Sequence, residues 1–141
     1  MALGEEELKP VERPSLARGN GQLVLVVDDE IEIQTAMKEL LEYLGYKSEF
    51  ASNGTEGLEK YKSVNPDAVL MDINMPEMDG IACIEEIFNY DPDANISIIS
   101  GYELDGMNGL GKKAQDAIKD NLPKPIGLGD LSAMLAKMLQ D

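Results

Sequence analysis

The sequence predicts an open α/β fold, a parallel sheet with helices on both faces. Three observations predict it. Short continuous apolar runs recur, at residues 23–27, 68–71 and 96–99, as in strands covered on both sides. Segments with apolar residues at helical spacing alternate with them. Several of the runs end in a carboxylate, a hydroxyl or a lysine, which suits strand tips that open onto a ligand.

The elements follow in order. Residues 1–20 read as a flexible tail punctuated by Pro10, Pro14 and Gly19, with no sustained period, and residues 21–141 as one domain. Leu23 to Val27 is the first strand. Glu30 to Leu44 is amphipathic, with Ile33, Met37, Leu40, Leu41 and Leu44 on one face and Gly45 as C-cap. Tyr46 to Ala51 is the second strand. Thr55 to Val64 is a helix with Leu58 and Tyr61 inward. Asn65-Pro66 leads into the third strand, Ala68 to Met71. The third helix, Asp79 to Phe88, carries Ile81, Ile84, Ile87 and Phe88. Ile96 to Ile99 is the fourth strand, and a fourth helix is expected between about Met107 and Lys119. Asn121 to Pro123 is a short fifth strand. Asp130 to Leu139 is the last helix, with Asp130 as N-cap and Leu131, Met134, Leu135 and Met138 as its stripe. Strand–helix alternation of this kind makes a parallel sheet, with all strand C-termini along one edge.

Composition narrows the function. The formal charge is −15, and residues 21–141 hold 9 lysines, no arginine and 23 acids. Nucleic-acid binding needs clustered positive charge, so direct binding to DNA or RNA is not expected. An acidic surface suits solubility, divalent cations and basic protein patches. The one cysteine, Cys83, excludes an internal disulfide and reads as core filler, like the eight methionines. No run approaches the ~18 apolar residues of a membrane span. Glu5, Glu6 and Glu7 rule out the basic start of a signal peptide. A cytoplasmic protein is expected.

The stretch from Met71 to Gly80 carries the most information. Asp72 ends an apolar run, and the chain then turns at Pro76 and Gly80. Asp28 and Asp29 follow the first strand, Ser100 the fourth and Lys124 the fifth. If strands 1, 3, 4 and 5 are neighbours, ~4.8 Å apart, these tips line one shallow pocket. Taken singly, each residue has an ordinary reading. Asp28 or Asp29 would be a helix N-cap, Asp72 and Ser100 turn residues, and Lys124 a surface lysine. Together they form a chemical set. Three close carboxylates repel unless a cation compensates, and Mg2+ suits an all-oxygen site that keeps waters and phosphate oxygens. An ionised aspartate is a phosphoryl nucleophile. A metal on one side and the Lys124 ammonium on the other would neutralise charge in the transfer, while the Ser100 hydroxyl could donate to a phosphoryl oxygen.

Five motifs in this order closely resemble the receiver domain of two-component response regulators. They are Val-Asp-Asp-Glu at 27–30, Pro-Asp-Ala-Val-Leu-Met-Asp at 66–72, Met-Pro-Glu-Met-Asp-Gly at 75–80, Ile-Ser-Gly at 99–101 and Lys-Pro at 124–125. The resemblance covers residues ~22–141. It implies a three-layer α/β sandwich, with a five-stranded parallel sheet of order 2-1-3-4-5 and five helices. It further implies that Asp72 is the phosphoacceptor, charged by a histidine kinase or a histidine phosphotransfer protein. Asp29, Asp72 and the Asn74 backbone carbonyl would ligate Mg2+, Asp28 would hold a metal-bound water, and Ser100 and Lys124 would contact the phosphoryl group. Such a domain catalyses only its own phosphorylation and dephosphorylation. It switches a surface that binds a downstream protein target, and weak homodimerisation is compatible with it.

The resemblance is incomplete on the output side. Asn121 stands where the family carries an aromatic switch residue, and Tyr102 is the candidate substitute. Gly101, Gly106, Gly109 and Gly111 weaken the start of the fourth helix. Ser100 and Lys124 are further apart in sequence than the family pattern, and Ala117-Ile118 replaces its usual Gly-Ala pair. Gly101 leaves the approach to the phosphoryl group open, which implies a phosphoryl group of no exceptional lifetime. With the chain ending at Asp141, a stand-alone chemotaxis-like or phosphorelay receiver is expected. The alternatives are the receiver part of a larger DNA-binding or enzymatic regulator, and a pseudo-receiver that is never phosphorylated. An aspartate-nucleophile phosphatase wants an acid two residues after the nucleophile, where Asn74 stands.

Overall fold

The structure, a computed structural model, describes residues 17–73, 80–100, 118, 121–124 and 126–139. Leu23–Val27 forms β1, and its residues from Val24 on are fully buried. Helix α1 (Ile31–Leu44) follows and ends at Gly45, whose φ of 91° is the left-handed cap expected there. Then come β2 (Lys47–Ala51), α2 (Gly54–Val64), β3 (Ala68–Asp72), α3 (Gly80–Tyr90), β4 (Ile96–Ser100), β5 (Asn121–Pro123) and α4 (Leu128–Leu139). Asn53 caps α2 by accepting a hydrogen bond from the Glu56 amide. The helix expected between residues 107 and 119 lies, but for Ile118, outside the described residues.

All five strands are parallel, in the order β2-β1-β3-β4-β5. The pleat of β1 sends Val24 and Val26 to one face and Leu25 and Val27 to the other. On the first face they meet Met37, Leu41 and Leu44 of α1 and Leu131, Met134 and Leu135 of α4. On the second they meet Tyr61 of α2 and Cys83, Ile84 and Ile87 of α3. The fold is thus the expected three-layer sandwich. Each fully buried Leu or Ile contributes about 1.5–3 kcal/mol, so the two layers of core supply most of what holds it together. Cys83 is fully buried, as expected of core filler. Gly57 lets α2 lie close on β1, because a Cβ there would stand 3.0 Å from Val27 Cγ2.

Several boundaries differ from the sequence reading by one or two residues, and two of them change the role of an aspartate. Asp130 is not the N-cap of the last helix: α4 starts two residues earlier, at Leu128, and Asp130 lies in its first turn. An acid there still favours the positive end of the helix dipole, which is why its sequence signal resembles a cap. The third strand includes Asp72 itself, which pairs with Ile99, so the carboxylate is held by the ladder rather than by the turn after it.

Within the expected tail, residues 17–20 are tied to the domain. The Arg18 guanidinium donates to the Tyr43 carbonyl at 2.6 Å and lies 4.8 Å from the Tyr43 ring centre. The Gly19 and Gly21 amides donate to the carbonyls of Leu44 and Gly45. These oxygens sit at the end of α1, where no intrahelical donor remains. Ser132 Oγ donates to the Ala17 carbonyl and joins the segment to α4. No described helix is long and apolar enough to cross a membrane.

This segment should be measurable in stability. Arg18→Ala is expected to cost about 1 kcal/mol, the worth of a surface cation–π contact plus a cation at a helix C-terminus. Deleting residues 1–20 should cost more. Urea denaturation at fixed pH reads both, and an unchanged midpoint in the deletion would refute the contribution.

Candidate functional site

Strand register builds the site. Val27 pairs with Met71, so the next residues, Asp28 and Asp72, are neighbours across the β1–β3 seam. Asp72 pairs with Ile99, and Ser100 with Pro123, which places Lys124 one step past the tip of β5. The four tips converge at the C-terminal edge of the sheet, where open α/β sheets bind ligands.

Side-chain oxygens of Asp28, Asp29 and Asp72 all lie within 4.8 Å of one another. Asp28 and Asp72 are buried, whereas Asp29 is exposed. The Lys124 ammonium stands 2.7 Å from Asp28 Oδ2, 3.0 Å from Glu30 Oε1 and 3.4 Å from Asp72 Oδ2. The Lys124 ammonium is the close ion-pair partner of Asp28 Oδ2, and it donates hydrogen bonds to Glu30 and Asp72. Asp28 Oδ1 accepts from the Glu30 amide at 2.9 Å, which orients the carboxylate.

The electrostatics follow from this packing. Burial pushes the Asp28 carboxyl above its usual pKa. The close Lys124 ammonium and the Glu30 amide pull it back, and the charge of Asp72 adds to the rise. For Lys124, burial works against the ammonium. The contacts with Asp28 and Glu30 and the charges of Asp72 and Asp28 outweigh it, so the pKa rises above that of an ordinary lysine. Lys124 is cationic at any pH of interest.

The donor set fits a hard divalent cation. Three clustered carboxylates, two of them buried, offer only oxygen. Neither Asp28 nor Asp29 caps α1. Glu30 occupies the N-cap position, with no side-chain cap bond.

Ser100 closes β4 and Asn121 opens β5, but their side chains lie outside the described residues. Asn74, Gly101 and Tyr102 lie wholly outside them, so the switch expectations do too. Two participants were not legible in the sequence, and a third, Gly80, was read only as a turn. Glu30 was quoted within a motif but given no role, because an acid at a helix start reads as a dipole partner. Gln34 Nε2 donates to the Asp28 carbonyl at 2.7 Å and to Ser52 Oγ at 3.2 Å, tying α1 to the loops after β1 and β2. Gly80 packs against the Asp72 backbone so closely that a Cβ would overlap the Asp72 carbonyl oxygen and Ile73 Cα.

Residues 24–136 match the family model described as the response regulator receiver domain. The chain belongs to this family. Among curated relatives, the chemotaxis protein CheY of Thermotoga maritima is 42% identical over 106 residues, covering 74% of this chain and 87% of that protein. CheY of Treponema pallidum is 37% identical over 121 residues, covering 83% and 82%. The receiver is therefore of the chemotaxis-like type. Longer regulators also match, among them ZraR of Klebsiella oxytoca, 34% identical, with 82% of this chain covering 26% of that protein. Among solved structures, a receiver domain from Clostridium thermocellum aligns with a TM-score of 0.75 at 30% identity, covering 84% of this chain and 94% of that one. The response regulator TrrA of Thermotoga maritima, in complex with Mg(2+)-BeF, aligns with a TM-score of 0.73 at 32% identity, covering 84% and 99%.

Lys124 compensates a buried carboxylate, and its loss should show. Lys124→Met is expected to lower stability in metal-free buffer by about 2 kcal/mol, below the range for a fully buried pair because Asp28 can take up a proton. Asp28→Asn in the same chain should restore most of it. Urea titration of the two variants checks this, and a second change that adds to the loss would contradict it.

Proposed function

We propose that the protein is a phosphoacceptor receiver that takes a phosphoryl group on Asp72 from a phosphohistidine of a kinase or a phosphotransfer protein. The observation that carries this reading is the placement of Asp72, with the Lys124 ammonium at 3.4 Å and side-chain oxygens of Asp28 and Asp29 within 4.8 Å. A nucleophile flanked by a fixed cation and a cation-binding acid pair is what phosphoryl transfer requires.

In the transfer, an Asp72 carboxylate oxygen forms the new O–P bond. The bond between phosphorus and the donor imidazole nitrogen breaks, and its electron pair stays on that nitrogen. Asp72 needs no general base, because it reacts as the carboxylate. Lys124 donates to a phosphoryl oxygen and offsets the charge gathered there, and Ser100 is the residue assigned to a second oxygen. Asp29 and Asp72, with the Asn74 carbonyl, would hold Mg2+, while Asp28 would anchor one of its waters. Magnesium, when bound, neutralises phosphoryl oxygens during the transfer. The complex of the similar TrrA with Mg(2+)-BeF supports this ligand chemistry. Phosphorylation would then alter a surface read by a downstream protein. Gly101, Tyr102 and Asn121 remain the assigned switch positions, and the same reading places the protein in the cytoplasm with its kinase.

Incubation with acetyl phosphate and magnesium should add one phosphoryl group by intact mass. The gain should vanish in Asp72→Asn and on chelation of magnesium. No gain with either acetyl phosphate or a phosphorylated histidine donor would favour the pseudo-receiver reading instead.

A further inference from the structure

Lys124 has three N–H donors, and three carboxylates surround it: Asp28 at 2.7 Å, Glu30 at 3.0 Å and Asp72 at 3.4 Å. The ammonium is thus ion-paired with Asp28 and donates to Glu30 and Asp72 before any phosphoryl group arrives. Two of these partners are held in place. Asp28 has a completely buried side chain and is bound by the Glu30 amide, and Asp72 is fixed in the β3 ladder. The Glu30 side chain differs. It is 55% exposed, it stands on the N-cap of α1 and its carboxylate reaches Lys124 from solvent.

We propose that Glu30 is a positioning residue that holds Lys124 in the resting site and must release it when a phosphoryl group is transferred to Asp72. This rests on the phosphoacceptor reading and adds to it a residue that acts through Lys124. A phosphoryl oxygen on Asp72 needs a Lys124 donor. Of the three present contacts, the one to Glu30 is the cheapest to give up, because water replaces it at the exposed carboxylate. The buried Asp28 has no such replacement. Glu30 also brings a fourth negative charge to the mouth of a site that receives an anionic donor. Both effects act in one direction. Glu30 slows phosphorylation and favours the empty form, with its hold set by charge and therefore by ionic strength.

The Glu30→Gln variant removes the charge and keeps the length. The amide that orients Asp28 is main-chain and remains, so folding is preserved. Wild type and Glu30→Gln are compared in acetyl phosphate and magnesium, with phosphorylated fraction followed by intact mass, and in titrations with magnesium and beryllofluoride followed by amide NMR. The variant should phosphorylate roughly two- to fivefold faster and bind beryllofluoride tighter by a similar factor, the worth of one exposed ion pair. Added salt should narrow the gap by accelerating wild type, since exposed charges are screened. In a Lys124→Met background, Glu30→Gln should lose most of its effect, which a merely structural role for Glu30 would not produce.

Uptake by wild type with an equal or slower rate in Glu30→Gln would overturn the inference and leave the phosphoacceptor reading intact. An effect that persists unchanged without Lys124 would overturn it too. Absence of both uptake and beryllofluoride binding in wild type would bring down the phosphoacceptor reading and this inference together.

Discussion

One ammonium holds the functional edge of this protein together. Lys124 comes from the end of β5, yet its nearest partner, Asp28, follows β1, with β3 and β4 between them in the sheet. Without a cation, the buried carboxylates of Asp28 and Asp72 would face each other in a region of low dielectric, where like charges repel most strongly. The lysine makes that arrangement tolerable, and so permits a nucleophile and a cation-binding cluster to be kept ready at the tip of a strand. Everything chemically distinctive about the site depends on this compensation.

The sheet decides where the compensation can occur. Parallel pairing in the order β2-β1-β3-β4-β5 puts every strand C-terminus on one edge, and the register brings Asp28 beside Asp72. Two layers of helix exclude water from the strands, so the register cannot slip without turning apolar side chains outward. The chemistry thus rests on a scaffold far more stable than the site itself. The acid cluster is a local cost that the two cores and Lys124 offset.

Part of the site was legible in the sequence because its residues sit at strand tips. Asp28, Asp29, Asp72 and Lys124 interrupt or follow apolar runs, and such an interruption is visible in one dimension. Glu30 and Gln34 were not legible as participants. Both lie at the start of an amphipathic helix, where a polar residue needs no special explanation. Their partners, Lys124 and Ser52, are 94 and 18 residues away. The Arg18 segment was hidden for a similar reason. Its backbone donors serve the end of α1, and backbone donors carry no compositional signature.

The sequence by itself determined the fold class, the sheet and the identity of four carboxylate and ammonium groups at its edge, because apolar periodicity and strand length are local properties. It also determined the family, since the motifs follow one another on successive elements. Tertiary structure alone decided the distances: which oxygen Lys124 meets, that it meets three at once, and that one of them belongs to an exposed glutamate. Those are set by the register and twist of five strands, which no single segment encodes.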